Sequence, residues 1–307
     1  MTPSSPSAPP GNPPPVDAKP LGNPFQKTAL LLDWSRSDIE RRLGFKGGRF
    51  TSPGKTLSFI IALLTTVAFY ALLIIARQAW PPIEPYAVMF LERGPCPYPT
   101  MLLFFWAIAL LTLKWRKSVL QMRALGLPFM PQEPDFELTP ATARSVRERM
   151  CSMVDNPHHF ILLNRVDLAL ANLHNIGHAA EVATILKIQA ENDEAQVASS
   201  YGLVQGFMWA IPVLGFIGTV LGLSEAIGAF GGTIKAGGDM NAIRTSLESV
   251  TGGLATAFET TLVALVCALL LQLLVSFLQA RESDFLDSCN DICHKHLAGK
   301  LRLVTTS

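Results

Sequence analysis

The sequence predicts an all-α integral membrane protein with four transmembrane helices and a cytoplasmic helical insert between the second and third. Three observations lead there. The 307 residues are 49% hydrophobic and only 16% charged, whereas soluble domains carry nearer one quarter charged residues. The shortage of charge is local, falling in long segments that have none, as a bilayer requires of a spanning helix. The lysines and arginines collect beside those segments on what must be one side of the membrane.

Residues 1–24 are rich in proline, serine, glycine and asparagine and cannot bury enough surface to fold, so a disordered tail is expected. No apolar core follows the first residues, and no cleavable signal peptide is expected. Residues 25–55 form a basic juxtamembrane segment containing Lys27, Arg36, Arg41, Arg42, Lys46, Arg49 and Lys55. A short amphipathic helix is expected near residues 36–44. Residues 56–115 make the first membrane hairpin. Leu57 to Ala76 is free of charge and, as a helix, covers about 30 Å, the bilayer core. Residues 77–99 are a short proline-rich loop whose Trp80, Tyr86 and Tyr98 suit an interface. Thr100 to Leu113 is a shorter apolar run, which Trp115 and a snorkelling Lys114 extend to a second span. A re-entrant segment is the alternative.

Residues 116–200 read as a helical domain between the two membrane hairpins. Residues 124–138 are a proline-broken connector. Thr139-Pro140 has the form of an N-cap followed by proline at the first helical position, opening a polar helix to about residue 153. Asn156-Pro157 ends it. Phe160, Leu163, Val166, Leu170 and Leu173 then recur with helical period. A third helix starts near Ala179 and runs toward residue 203.

Residues 201–280 form the second hairpin. Leu203 to Ser224 is the third span. Residues 231–240 read as a loop and Asn241 to Thr251 as a short amphipathic helix. The fourth span is Thr260 to Ala280, or begins one turn earlier. Residues 281–307 are a charged helical tail. Basic clusters before the first span, after the second and after the fourth place both termini and the insert in the cytoplasm.

Several chemistries are disfavoured. A net charge of +1 with no basic tract gives nucleic acid little to bind. The five cysteines are scattered and suggest free thiols. His174 with His178, and Cys289 with Cys293 beside His294 and His296, lie one helical turn apart. Neither pair supplies four convergent ligands, so surface helix residues are expected and no metal. No phosphate-binding glycine loop followed by Lys-Ser/Thr is present, and no Ser/His/Asp arrangement is legible. The chain is not expected to be an enzyme or to hold a cofactor.

What remains is polarity inside the third and fourth spans. Pro212, Gly215, Gly218, Thr219 and Gly222 give one helix a small, notched face, which suits close helix packing. Pro212 also frees a carbonyl one turn earlier. Gly252, Gly253, Thr256, Glu259, Thr260 and Thr261 cluster at the outward end of the last span. Because the two helices run in opposite directions, Thr219 and the 256–261 threonines are expected at similar depth. The notch reads either as plain packing or as a pore wall with Thr219 as its hydroxyl. Glu259 lies either at the outer interface or inside the ion path, depending on where the span begins. Gln272 is placed to bond across helices.

The run Ile211-Pro212-Val213-Leu214-Gly215-Phe216-Ile217-Gly218-Thr219-Val220-Leu221-Gly222 resembles the signature of the MotA/TolQ/ExbB proton-channel family. Gly253-Leu254-Ala255-Thr256-Ala257-Phe258-Glu259-Thr260-Thr261-Leu262 is similar to its second half. The likeness covers about residues 160–280. It implies a homopentamer in the bacterial inner membrane, built around a dimeric single-span partner of the ExbD/TolR/MotB type that supplies a membrane aspartate. It also implies that flow of H+ or Na+ drives mechanical work. Thr219 takes the place of the family's first pore threonine and Thr256 that of the second. Phe258-Glu259-Thr260-Thr261 departs from the ExbB/TolQ pattern, where a glycine is common, and leaves Thr260 as an alternative hydroxyl. Four spans and the insert look more like MotA; the motif wording looks more like ExbB/TolQ. The rival readings are a non-conducting membrane scaffold and a solute transporter. The transporter would show internal repeats, which the first two spans do not provide.

Overall fold

A computed structural model describes residues 55–130, 136–173, 179–235 and 240–300. The tail 1–24, the expected amphipathic helix near 36–44, and His174 and His178 lie outside those residues. Within them, four helices are long and apolar enough to cross a membrane.

Helix α1, Lys55–Ala79, turns Leu64, Val67, Leu72 and Ile75 outward, as a lipid-facing surface should. Its Ser58, Ala62 and Thr66, four residues apart, are buried. Against that small face packs α3, Pro97–Leu125. The Trp106 indole N–H donates to Ser58 Oγ at 3.1 Å, and the Phe59 and Trp106 rings meet edge-on with centroids 5.0 Å apart.

The connection between α1 and α3 is more ordered than its prolines suggest. It holds a 3-10 turn, Pro81–Ile83, and α2, Glu84–Leu91. Proline at the first positions of a helix gives up no internal bond, so these prolines start elements rather than prevent them. Arg77 braces the segment through Glu92, 2.6 Å, and Glu84, 3.7 Å. Gly94 then turns the chain with a φ of 76°, a conformation in which a side chain is strained.

α3 has 29 residues and so extends about 44 Å, longer than the hydrocarbon core. It is one continuous helix, not a re-entrant segment. Lys114 does not snorkel: it is 5% exposed, for a reason given below.

α4, Pro140–Met153, begins as the sequence predicts. Thr139 accepts from the Thr142 N–H while its own N–H donates to Thr142 Oγ1, closing a capping box in which threonine takes the usual Glu/Gln role. Asn156 caps a 3-10 turn at Pro157–His159. α5, Ile161–Asn172, and α6, Ala179–Ser199, follow. Phe160, Leu163, Val166, Leu170 and Leu173 are all buried. They share one core with Leu120 and Ala124 of α3 and with Phe285, Leu286, Cys289 and Cys293 near the C-terminus. The insert therefore packs onto the ends of the membrane helices. Arg165, 1% exposed, anchors it. Its Nε donates to Asp193 at 2.6 Å and its Nη1 to Asn290 at 2.5 Å.

α6 ends in a turn at Ser200–Tyr201, and α7, Gly202–Lys235, carries Pro212 in its interior. α8, Met240–His296, is a single helix of 57 residues. The expected separate amphipathic helix 241–251 is its first three turns, and the Gly252-Gly253 pair does not break it.

Candidate ion-path helix pair

The most extensive helix contact in the chain joins α7 to α8. Its seam follows from the missing side chains. A Cβ built on Gly215 would stand 2.6 Å from Ala264 Cβ, and one on Gly218 would stand 2.5 Å from Thr260 Oγ1. On Gly222 it would stand 2.6 Å from the Gly253 carbonyl oxygen, and on Gly253 it would stand 2.6 Å from the Gly222 carbonyl oxygen. All four distances are inside van der Waals contact. Glycine is therefore required for the backbones to approach, as in close helix packing within lipid. Gly252 has open space beyond it and takes no part. The notch is a packing device, and the polar groups sit on its flanks.

The glycine contacts also fix the register. Gly215 meets Ala264, Gly218 meets Thr260, and Gly222 meets Gly253 and Ala257. Thr219 is therefore level with residues 257–260. In an antiparallel pair, residues one step beyond two facing positions turn to the same side. Gly218 faces Thr260, so Thr219 and Thr261 share a flank. Thr261 Oγ1 reaches across the seam to the Gly215 carbonyl at 3.2 Å and back to Ala257 at 3.0 Å. Thr219 Oγ1 donates to the Phe216 carbonyl at 2.6 Å, the backbone bond common for threonine in a helix. Gln272 is eleven residues past Thr261, close to three whole turns. It returns to this flank and is exposed, with its amide donating to Ser276 Oγ at 3.5 Å.

Thr256 and Glu259 occupy the opposite flank, toward the first hairpin. The Thr256 methyl carbon lies 4.0 Å from the Cβ position of Gly94. Arg93 grips Glu259 with two bonds, Nε to Oε2 at 2.7 Å and Nη2 to Oε1 at 3.2 Å. Bidentate pairing of this kind is the stronger form of an ion pair. Thr260 lies in the seam itself, 3% exposed, with its hydroxyl on the Thr256 carbonyl at 2.8 Å. Of the four ion-path candidates, Thr219 alone lies on the flank away from the first hairpin. Sequence reasoning gave Thr261 no role of its own there and did not foresee Arg93 at all.

At the opposite end from Arg93 a second charged group closes the pair. Lys114 of α3 meets Glu282 of α8 at 2.9 Å. The Tyr201 hydroxyl donates to the same carboxylate at 2.8 Å, and the Lys114 ammonium stands 4.1 Å over the Tyr201 ring. Three segments meet here: α3, the α6–α7 turn and α8. A paired ammonium needs no water, and so Lys114 stays inside.

Among the described residues no cluster of three or more His, Cys, Asp or Glu could hold a metal. Cys289 and Cys293, expected on a surface, are core residues at 0% and 3% exposure. Burial pushes the Cys289 thiol up to about 12 and the Cys293 thiol up to about 11.

The antiparallel, glycine-seamed helix pair, with polar side chains on its flanks, belongs to a chain with four helices long and apolar enough to cross a membrane. Residues 155–290 match the model of the MotA/TolQ/ExbB proton channel family, so the resemblance read from the two motifs is shown over that stretch, which contains α5–α7 and most of α8. No curated protein and no solved structure matches the chain.

Proposed function

We propose that this chain is the ion-conducting subunit of an inner-membrane motor that conducts protons and needs a second protein to do so. One observation carries the reading. Between Gly202 and Ser224 on α7, and between Thr260 and Ala280 on α8, there is no acidic residue. Two stand just outside these stretches: Glu225 follows Ser224, and Glu259, before Thr260, is held by Arg93. A proton path needs a titrating group, so the group comes from another chain. Thr219, Thr261 and Gln272 supply the polar lining beside it.

The family match supports the channel class. The remaining parts of the reading are a homopentamer around a single-span dimer of the ExbD/TolR/MotB type, a partner aspartate, and conversion of ion flow to work outside the membrane. Both termini face the cytoplasm, the transported ion is the only cofactor, and the chain catalyses no reaction. Each proton moved through about 100 mV releases about 2.3 kcal/mol, so a mechanical step takes several protons.

The test is proton flux into liposomes containing the full chain, alone and with a co-purified single-span partner. Flux is expected only with the partner present and is expected to fall in Thr219→Val. Equal flux in Thr219→Val and wild type removes the lining role. Flux at background with the partner present favours a non-conducting scaffold.

A further inference from the structure

A groove of about 420 Å³ lies between α3 and α8 near their cytoplasmic ends, lined by Ile108, Leu111, Thr112, Trp115, Arg116, Leu274 and Leu278. The apolar stretch of α3 ends at Leu113 and the charge-free stretch of α8 at Ala280. Ile108, Thr112 and Leu274 therefore lie within the inner half of the membrane, and Arg116 lies at headgroup depth. The volume is in the range of small-ligand sites.

The mouth of the groove is cationic. The Arg281 guanidinium lies 5.3 Å over the Trp115 ring and donates to the Met122 sulfur at 3.4 Å. Trp115 in turn stacks on Phe277 with centroids 5.7 Å apart. Neither Arg116 nor Arg281 has an anionic partner among the described residues. Arg77, Arg93, Lys114, Arg147 and Arg165, by contrast, each meet a carboxylate. Two unpaired guanidiniums, an indole at the interface and an apolar channel running into the inner leaflet match the parts of one molecule. Guanidiniums suit a phosphate headgroup, tryptophan suits the headgroup boundary, and the channel suits an acyl chain.

We propose that the α3–α8 groove is a binding site for an anionic glycerophospholipid of the inner leaflet, with its phosphate held by Arg116 and Arg281 and one acyl chain along Ile108, Thr112 and Leu274. Basic residues at the cytoplasmic boundary each contribute about 1 kcal/mol toward anionic lipid, so two arginines amount to a preference of about thirtyfold over zwitterionic lipid at low salt. The site uses the membrane orientation proposed above but not the ion path, because Thr219, Thr261 and Gln272 are not among its lining residues.

The experiment is lipid mass spectrometry on the full chain, purified from bilayers containing equal phosphatidylglycerol and phosphatidylcholine. Wild type is expected to retain phosphatidylglycerol selectively, and less so at high salt as the headgroup attraction is screened. Arg116→Gln with Arg281→Gln is expected to bring the ratio near one, while the paired Arg→Lys exchange keeps most of the preference. Leu274→Trp leaves both arginines in place but fills the groove, and it is expected to lose the bound lipid as well. The proposal is overturned if the double Gln variant retains phosphatidylglycerol as wild type does, or if Leu274→Trp does. It is also overturned if Thr112→Cys cross-links efficiently to another copy of the chain in membranes, since the groove would then be a protein interface.

Discussion

The Gly218 backbone lies so close to Thr260 that an added methyl group would stand 2.5 Å from the threonine hydroxyl oxygen. That contact sets the register of α7 against α8. With the register fixed, Thr219 and Thr261 fall on one side of the seam, and Thr256 with Glu259 on the other. The distinction between packing residues and path residues rests on this geometry.

Gly218→Ala and Gly222→Ala should each destabilise the protein by about 1–3 kcal/mol, the usual cost of overpacking a tight contact. The methyl group at 222 meets backbone, the Gly253 oxygen and the Ala257 nitrogen, which cannot rotate away. Gly206→Ala, with nothing within 4 Å, should be neutral or slightly stabilising, because alanine favours helix by about 1 kcal/mol. Thermal unfolding of the three variants in one detergent checks the ordering.

The Arg93–Glu259 pair ties the turn of the first hairpin to α8. Side chains that are 24% and 30% exposed are partly screened, which lowers the pair's net value toward that of a surface bridge. Glu259→Gln or Arg93→Gln alone should destabilise by about 1–2 kcal/mol, because each leaves a half-buried charge without its partner. The double variant should cost less than the sum of the singles, and a double-mutant cycle reads that difference. An additive cycle would show that the two side chains do not interact in the membrane.

Lys114 and Glu282 are buried more deeply, at 6% and 11% side-chain exposure. Removing one partner of such a pair costs about 3–5 kcal/mol. Lys114→Met should therefore damage folding, although a lysine at a helix end looks replaceable. Expression and thermal stability against Lys187→Met, at a lysine whose side chain is 76% exposed, make the comparison.

Cys289 and Cys293 should resist alkylation in the folded protein, while the exposed Cys151 reacts. Their thiols are raised in the folded state, so folding favours the protonated form. The stability from this source is complete below the ordinary thiol value of 9.0 and is lost as pH rises toward about 12. Alkaline unfolding should therefore set in earlier for wild type than for Cys289→Ala with Cys293→Ala, as seen in circular dichroism between about pH 9 and pH 12.

The spans were legible because absence of charge over a bilayer's thickness has few other meanings. The Thr139-Pro140 start and the Asn156-Pro157 stop were legible because capping is local chemistry. Partnerships across the fold were not. Nothing near Lys114 in the sequence announces Glu282, 168 positions away, and nothing near Glu259 announces Arg93, at a separation of 166. Cys289 and Cys293 read as surface residues because their helix is polar on its other faces. The glycine notch was visible, but whether a small face meets a helix or a pore is decided by what stands opposite. The flank of Thr261 is likewise set by a register that only the paired helices reveal.

The most direct measurement of the central claim is thiol block of flux. Thr219→Cys, Thr261→Cys and Thr256→Cys, each in a background without native cysteines, are reconstituted with the partner and treated with a water-soluble methanethiosulfonate. Flux should stop in the variants at 219 and 261 and continue in the variant at 256. Block at 256 with no effect at 219 and 261 would contradict the account, placing the ion path on the side of α8 that Arg93 and Gly94 cover.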